Sequence, residues 1–350
     1  MSSTYELGWA ERADIGQRSL DHYFGAPSPQ FLNNFYPSAD EDNATFNYWW
    51  LAHLIDVRLD AFERTGDAAW LAAAEQAYAN ILERNGDSVF NDYFDDMLWL
   101  GLAAFRLHSL TGTQEYLGSA IRIWEHVVEY GWNGTFGESL AWRKQQLYYK
   151  NMPANGPLII LSCRLYRLSD DERYLVFAKR SFQWVTETLV DAETGFVEDG
   201  INREEDGAID TQWRFTYNQG LYIGAAVELF TISKERSYLD MASRTTASAF
   251  VELASDGVFL DEGDGGDEGL FKGVFYRYLR ELLPRLDAGE QAGLKELVRL
   301  GVTALWDNCF TGQFLLASND WNSPASGKIP YSTQLSAIMG LELMAWIDVN

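Results

Sequence analysis

Asp95 and Asp96 stand side by side in the run NDYFDDMLWLG, with Tyr93, Phe94 and Trp99 around them. If a helix begins here, neighbouring residues project about 100° apart, so both carboxyl groups can reach one cavity from different directions. Two carboxylates in an aromatic setting are not equivalent. Like charge and desolvation raise the pKa of one, while a helix N-terminus favours the ionised form of the other. A proton donor beside a nucleophile or base, both working near neutral pH, is what glycoside hydrolysis requires. The plainer reading is that aspartate is common at the first turn of any helix. The aromatic flanks and the long loop before this helix favour the chemical one.

Other side chains suited to binding stand before other helices. Tyr217, Asn218 and Gln219 in TYNQG offer one ring and two amides to sugar hydroxyls, with helix capping as the alternative for Asn218. Lys150, Asn151 and Asn155 precede or open the helix of GPLIILSC, where an amide either binds or caps. Trp49 and Trp50 in FNYWWLAHL must point in different directions, one into the core and one to the rim. Trp142, Trp213 and Trp321 fall in long loops and read as platforms for sugar rings. Tyr93 and Trp99, flanking the aspartates, complete the expected binding set with Lys272 of the FKG run.

The acidic run from Asp261 to Gly269 lacks the register of a calcium loop, so it reads as a solvated or substrate-lining loop whose charge Lys272 partly neutralises. His22, His53, His108 and His126 all fall within expected helices and are read as structural. Cys163 and Cys309 are too few and too isolated for a zinc cluster or a disulfide framework. No metal and no cofactor is expected.

Composition narrows the partner. Among 350 residues, 27 Lys and Arg face 51 Asp and Glu, a net charge of −24, which repels nucleic acid and anionic membrane alike. Aromatic residues make up 15% of the chain, including 13 Trp and 18 Tyr, more than a core alone requires. Residues 1–17 show neither a basic start nor an apolar stretch, and no 18 apolar residues run together. The expected location is cytoplasmic, or outside the cell if a leader has been removed.

The elements that position these residues follow from repetition. RTGDAAWLAAAEQAYANIL, LTGTQEYLGSAIRIWEHVV, LSDDERYLVFAKRSFQWV and ISKERSYLDMASRTTASAF are each a turn followed by an amphipathic helix, and their aromatic-Leu anchors at Trp70, Tyr116, Tyr174 and Tyr238 lie 46, 58 and 64 residues apart. These intervals are too long and too variable for tetratricopeptide or ankyrin arrays. They fit helix pairs with long intervening loops. Apolar periodicity predicts twelve helices over 6–24, 45–64, 68–84, 96–111, 113–131, 152–168, 171–189, 215–233, 235–253, 268–284, 288–306 and 332–347. Those entered from long loops are apolar on more than one face (MLWLGLAAF, GLYIGAAVELF, LSAIMGLELMAW), and the others carry a charged face. Six inner and six outer helices make an all-α (α/α)6 barrel, a toroid forming one domain over 1–350, with the long loops and the functional rim at the N-terminal ends of the inner helices.

The segments YFDDMLWLGLAAFRLHSLTG, KNMPANGPLIILSCRLYRLSDDERYL, WRFTYNQGLYIGAAVELF and LFKGVFYRYL together resemble glycoside hydrolase family 76, the endo-α-1,6-mannanases and their fungal Dfg5-type relatives. The resemblance spans nearly the whole chain. It implies an (α/α)6 fold and a retaining mechanism in which Asp95 is the nucleophile and Asp96 the general acid/base. It also implies a substrate of α-mannan or mannooligosaccharide. The stretch GWNGTFGESLAWRKQQLYYK keeps only part of the Gly- and Trp-rich pattern expected there, which bears on subsite shape. A transglycosidase acting on α-mannosyl glycans, and a mannan-binding protein of the same fold without turnover, are the alternatives. Retention of both aspartates counts against the second.

Overall fold

The structure is a computed structural model and describes residues 7–263 and 265–350. Twelve α-helices lie among them: α1 (Trp9–Phe24), α2 (Tyr48–Thr65), α3 (Ala68–Arg84), α4 (Phe94–Thr111), α5 (Gln114–Gly131), α6 (Met152–Ser169), α7 (Glu172–Thr188), α8 (Thr216–Ser233), α9 (Arg236–Leu253), α10 (Phe271–Leu282), α11 (Ala288–Cys309) and α12 (Tyr331–Val349). Each end lies within three residues of the expected one. The expected start at residue 6 falls outside the described residues.

Helices α2, α4, α6, α8, α10 and α12 touch one another in that order, and α12 returns to α2, closing an inner ring. They are buried nearly all round: every residue from Leu51 to Ala61 in α2 and from Tyr331 to Ala345 in α12 is buried. Helices α4, α8 and α12 accordingly read as apolar on more than one face. Outer helices bury one stripe, as α5 does with Ala120, Ile123, Trp124 and Val127. Helices α3, α5, α7 and α9 each lie on the inner helix before them, and α11 lies on α12. The sixth pair joins the two ends of the chain, with α1 packed on α12. This is an (α/α)6 barrel.

Close helix contact in the ring depends on residues without a side chain. A Cβ at Gly220 of α8 would stand 2.6 Å from Phe275 Cα of α10. No real side chain tolerates that distance, so α8 and α10 meet backbone to backbone at this point.

The short turns have a common device. Gly66 and Gly112 end α2 and α4 in the left-handed region, at φ of 69° and 75°. Asp67 then caps α3 by accepting the Ala69 N–H at 2.9 Å, and reversal needs no further residues. The equivalent positions after α6 and α8 are Asp170 and Lys234, with φ of 56° and 63°. A side chain there costs about 1–2 kcal/mol relative to glycine. Lys234 is exposed, and its side chain makes only a distant cation–π contact with Phe230 among the described residues. Lys234→Gly is therefore expected to stabilise the fold by about 1 kcal/mol, measured as a higher denaturation midpoint with an unchanged slope.

The long loops at the N-terminal ends of the ring carry most of the strands. Ser139–Arg143 and Gln146–Asn151 form an antiparallel pair, extended by Trp132–Asn133 on one side and Gly200–Ile201 on the other. Sequence periodicity does not separate this sheet from loop. At the C-terminal half of the ring the inner helices turn charges inward. Arg106 of α4 bonds Asp56 and Asp60 of α2 at 3.1 and 2.7 Å, Arg280 of α10 reaches Asp60 at 3.2 Å, and Arg164 of α6 reaches Glu228 of α8 at 2.6 Å. Among the described residues no helix is long and apolar enough to cross a membrane.

Candidate active site

Helix α4 begins with Phe94, so Asp95 and Asp96 occupy its first turn behind Tyr93 as N-cap residue. The lone pairs of Asp95 are engaged by two donors: the Asp96 backbone N–H to Oδ1 at 3.0 Å and the Trp142 indole N–H to Oδ2 at 3.0 Å. Asp96 has one long bond, from the Asn91 amide to Oδ2 at 3.3 Å. Both side chains are desolvated. Burial raises the pKa of Asp95 to about 7 against the pull of its donors, with the charge of Asp267 adding to the rise. Burial followed by the charges of Asp95 and Asp267 raises Asp96 well above the carboxylate range. Two such groups share a site in which the first proton leaves Asp95, whose anion is hydrogen-bonded, and Asp96 keeps its own.

Trp142 is positioned by the sheet. Its strand docks on the start of α4 through the bridge between Tyr93 and Arg143 and through the Lys144 N–H to Asp92 carbonyl bond at 2.9 Å. The Arg143 guanidinium lies 4.4 Å from the centre of the Trp142 ring and donates to the Tyr93 hydroxyl at 3.3 Å, which clamps the indole over Asp95. Trp142→Phe removes a donor to the ionised form of Asp95, so the pKa of Asp95 rises further. The acid limb of the pH–rate profile is then expected to move to higher pH and kcat/KM to fall about tenfold, which initial rates between pH 4 and 9 would check.

The pair opens into a cavity of about 540 Å³ at the N-terminal ends of the inner helices. Of the expected residues, Trp49, Tyr93, Asp95, Asp96, Trp99, Trp142, Asn151, Trp213 and Tyr217 line it. Trp49 and Trp99 lie with ring centres 6.2 Å apart and planes 30° from parallel, and Tyr217 stacks on Phe271 at 3.9 Å. Flat apolar faces with few polar groups suit pyranose rings.

Seven expected residues are elsewhere. Trp50 is buried edge-on against Tyr331, because adjacent helical positions diverge, while Trp49 faces the cavity. Lys150 is buried with its ammonium on the Asn133 carbonyl at 2.8 Å and on Ser139, so it knits the sheet, and burial lowers its pKa to about 7. Asn155 bonds the Leu140 N–H and carbonyl, at 3.0 and 2.9 Å, and so fixes the sheet to α6. Gln219 does the same for Val197, at 2.9 and 2.7 Å. Asn218 donates to Asp199 at 3.0 Å from a fully buried position. Lys272 is buried against Glu262 at 3.6 Å, and Glu262 in turn accepts the Thr216 N–H at 2.6 Å and the Thr216 hydroxyl at 2.8 Å at the start of α8. Trp321 is only 1% exposed and stacks on Tyr276 at 5.2 Å, behind the ring and not at the rim.

Four polar residues of the site carry little signal in the sequence. Asn91 turns the chain into α4, accepting the Tyr93 N–H at 2.8 Å, and also reaches Asp96. Asp199 lines the cavity and accepts from Tyr217 and Asn218, each at 3.0 Å, and from Arg203 at 2.7 Å. Arg203 itself lies 4.2 Å over the Trp213 ring. Asp267, in the acidic run, accepts both the Trp49 and Trp50 indole N–H groups. Only the acidity of that run and its placement before α10 pointed there.

The four histidines all lie in helices, and His53 is buried under Trp49 and Trp99 with ring centres 5.5 and 4.6 Å away. Both cysteines are buried and unpaired. Among the described residues no three His, Cys, Asp or Glu side chains are grouped as metal ligands.

Comparison with known proteins agrees with this geometry. A protein of Listeria innocua, Lin0763, is 48% identical, with a TM-score of 0.95 over 98% of both chains. The GH76A α-1,6-mannanase of Salegentibacter sp. HEL1_6 is 38% identical with a TM-score of 0.90, over 97% of this chain and 100% of that one. Among curated proteins, the mannan endo-1,6-alpha-mannosidase DCW1 of Candida glabrata is 29% identical over 200 residues, which are 53% of this chain and 41% of the fungal protein. The chain spans less than half the length of the curated fungal relatives it first matches. The family model of glycosyl hydrolase family 76 matches residues 10–343, and the chain belongs to that family.

Proposed function

We propose that the protein hydrolyses α-1,6-mannosidic linkages of mannan or mannooligosaccharides with retention of configuration, using Asp95 and Asp96. The observation that carries this reading is the unequal environment of two adjacent half-buried carboxyls at an aromatic cavity: one with two donors, the other almost without. Support also comes from the relatives. The Salegentibacter enzyme is an α-1,6-mannanase, and a variant of it with two consecutive aspartates replaced by alanine is described as inactive and in complex with α-1,6-mannotetrose.

In the first step the Asp95 carboxylate attacks the anomeric carbon while Asp96 gives its proton to the departing glycosidic oxygen. The C–O bond to the leaving sugar breaks as the ester to Asp95 forms. In the second, the Asp96 carboxylate takes a proton from water, the water oxygen attacks the same carbon, and Asp95 leaves as carboxylate. Each carboxyl then stands in its starting protonation state, so no cofactor is called for. Trp142 and the Asp96 N–H stabilise the leaving carboxylate, and the indoles of Trp49, Trp99 and Trp213 offer stacking faces to the mannosyl rings.

A panel of α-1,2-, α-1,3-, α-1,4- and α-1,6-linked mannobiosides and an α-1,6-mannotetraose tests the substrate assignment. Release of mannose or shorter oligosaccharides from the α-1,6 series alone is expected. Cleavage of another linkage at equal or higher kcat/KM would overturn the assignment, and products longer than the tetraose would identify transfer in place of hydrolysis.

A further inference from the structure

The acidic run before α10 brings a third carboxylate to the cavity, and no step of the double displacement uses it. Asp267 lines the same cavity as Asp95 and Asp96, and its charge is one of the causes that raise both. It is exposed, yet held in place. Its Oδ1 accepts the Trp50 indole N–H at 2.7 Å and the Trp49 indole N–H at 3.0 Å. Oδ2 is left without a partner among the described residues.

The turn that carries Asp267 is fixed as firmly. Gly266 has a φ of +109°, and a Cβ there would meet the Trp50 ring at 3.0 Å, so the chain lies directly on that indole. The hydroxyls of Ser332 and Ser336 on α12 donate to the carbonyls of Gly266 and Gly269, on either side of Asp267. A partner for the buried Trp50 N–H is needed in any case. A backbone carbonyl would serve that need without charge, and the partner of a buried indole has no reason to carry a second oxygen at a cavity wall. A carboxylate pinned by one oxygen, with the other free, is the arrangement that accepts hydroxyls of a sugar through charge-assisted bonds.

We infer that Asp267 is a substrate-contacting residue of this site, whose free oxygen accepts one or two hydroxyls of a mannosyl ring and fixes that ring beside the catalytic pair. The inference rests on the mannosidase reading of the cavity and names a contact within it. Asp267→Asn keeps an oxygen for the two indoles and removes the charge, so kcat/KM is expected to fall about 10- to 100-fold while the melting temperature stays close to the wild type.

The test is a double-mutant cycle between Asp267→Asn and a series of monodeoxy α-1,6-mannobiosides. For the hydroxyl that Asp267 holds, deoxygenation is costly in the wild type and nearly without effect in the variant, a coupling of about tenfold or more. Additive losses at every hydroxyl, or an Asp267→Asn enzyme as active as the wild type, would overturn the contact. If Asp267→Asn does not fold, Trp50→Phe, which frees Asp267 on one side only, enters the same cycle with a smaller coupling at the same hydroxyl expected. Wild type inactive on every α-1,6-mannoside sinks the mannosidase reading itself, whereas active wild type without coupling sinks only the role of Asp267.

Discussion

Asp95→Asn and Asp96→Asn are each expected to lower kcat/KM on α-1,6-mannooligosaccharides by about 10⁴-fold or more, and to make the protein more stable. The two losses differ in kind. The amide of Asp95→Asn cannot form the ester to the anomeric carbon, so activity disappears whatever the leaving group. The amide of Asp96→Asn cannot protonate the leaving oxygen, a defect that matters little for a dinitrophenyl mannoside, whose leaving group needs no proton. With that substrate Asp96→Asn should show a rapid first turnover followed by slow release, restored by added azide as an outside nucleophile.

The stability gain follows from the direction of the pKa shifts. Both carboxyls titrate higher in the fold than in the unfolded chain, because burial disfavours their charged forms. The folded state therefore holds protons that the unfolded state has released, and stability falls as pH rises from the unfolded pKa of about 3.9 toward the folded one, which for Asp95 is about 7. Asparagine removes the charge and with it that loss. The gain in melting temperature, about 1–2 °C per kcal/mol relieved in a chain of this length, should be present at pH 8 and vanish near pH 3. A variant that is inactive and also less stable at pH 8 would mean that the aspartates hold the fold and not the reaction.

Arg106→Ala is expected to have the largest effect on folding, a loss of about 3–5 kcal/mol at neutral pH. This guanidinium sits among Asp56, Asp60 and Glu63, and its removal leaves carboxylates of α2 underneutralised inside the ring. Burial alone would raise the pKa of Asp60, but the charges of Arg106, Arg277 and Arg280 outweigh it and hold Asp60 below its ordinary value. A depressed folded pKa stabilises above the unfolded pKa, and that stabilisation is lost as pH falls through the folded pKa. Without Arg106 the group titrates higher and takes up a proton sooner. The deficit of the variant relative to wild type should therefore be greatest near pH 7 and shrink toward pH 4, as urea denaturation at the two pH values would read. A loss below about 1 kcal/mol would show that Arg277 and Arg280 neutralise the cluster unaided.

The ring was legible in the sequence because burial all round and burial on one stripe leave different patterns. GLYIGAAVELF and LSAIMGLELMAW have no polar face to hide, whereas IRIWEHVVEY does. The placing of the paired aspartates and the rings beside them at one cavity was legible because the pair, though aspartate suits any first turn, was framed by aromatics and preceded by a long loop. The polar residues of the loop–helix junctions were not. An amide at the head of a helix presents the same letter whether it faces a sugar or a carbonyl of its own chain. Asn155 and Gln219 turned out to grip Leu140 and Val197, and Lys150 to grip Ser139. Trp321 shared its loop context with Trp142 and Trp213, but its loop folds back behind α12, where an indole fills space against Tyr276. Asp199, Arg203 and Asp267 come from loops whose paths no periodicity reports. Their placement depends on contacts across 18 to 218 residues of sequence, such as those from Tyr217 to Asp199 and from Trp49 to Asp267.

In the proposed double displacement Asp95 and Asp96 divide nucleophile and proton donor between them. Proton NMR during the first minutes of α-1,6-mannotetraose cleavage tests it most directly, because the configuration of the new reducing end is set before mutarotation blurs it. The α-anomer is expected first, in the wild type only, with neither Asp95→Asn nor Asp96→Asn yielding product. Initial release of the β-anomer, or α-product from either variant at the wild-type rate, would contradict it.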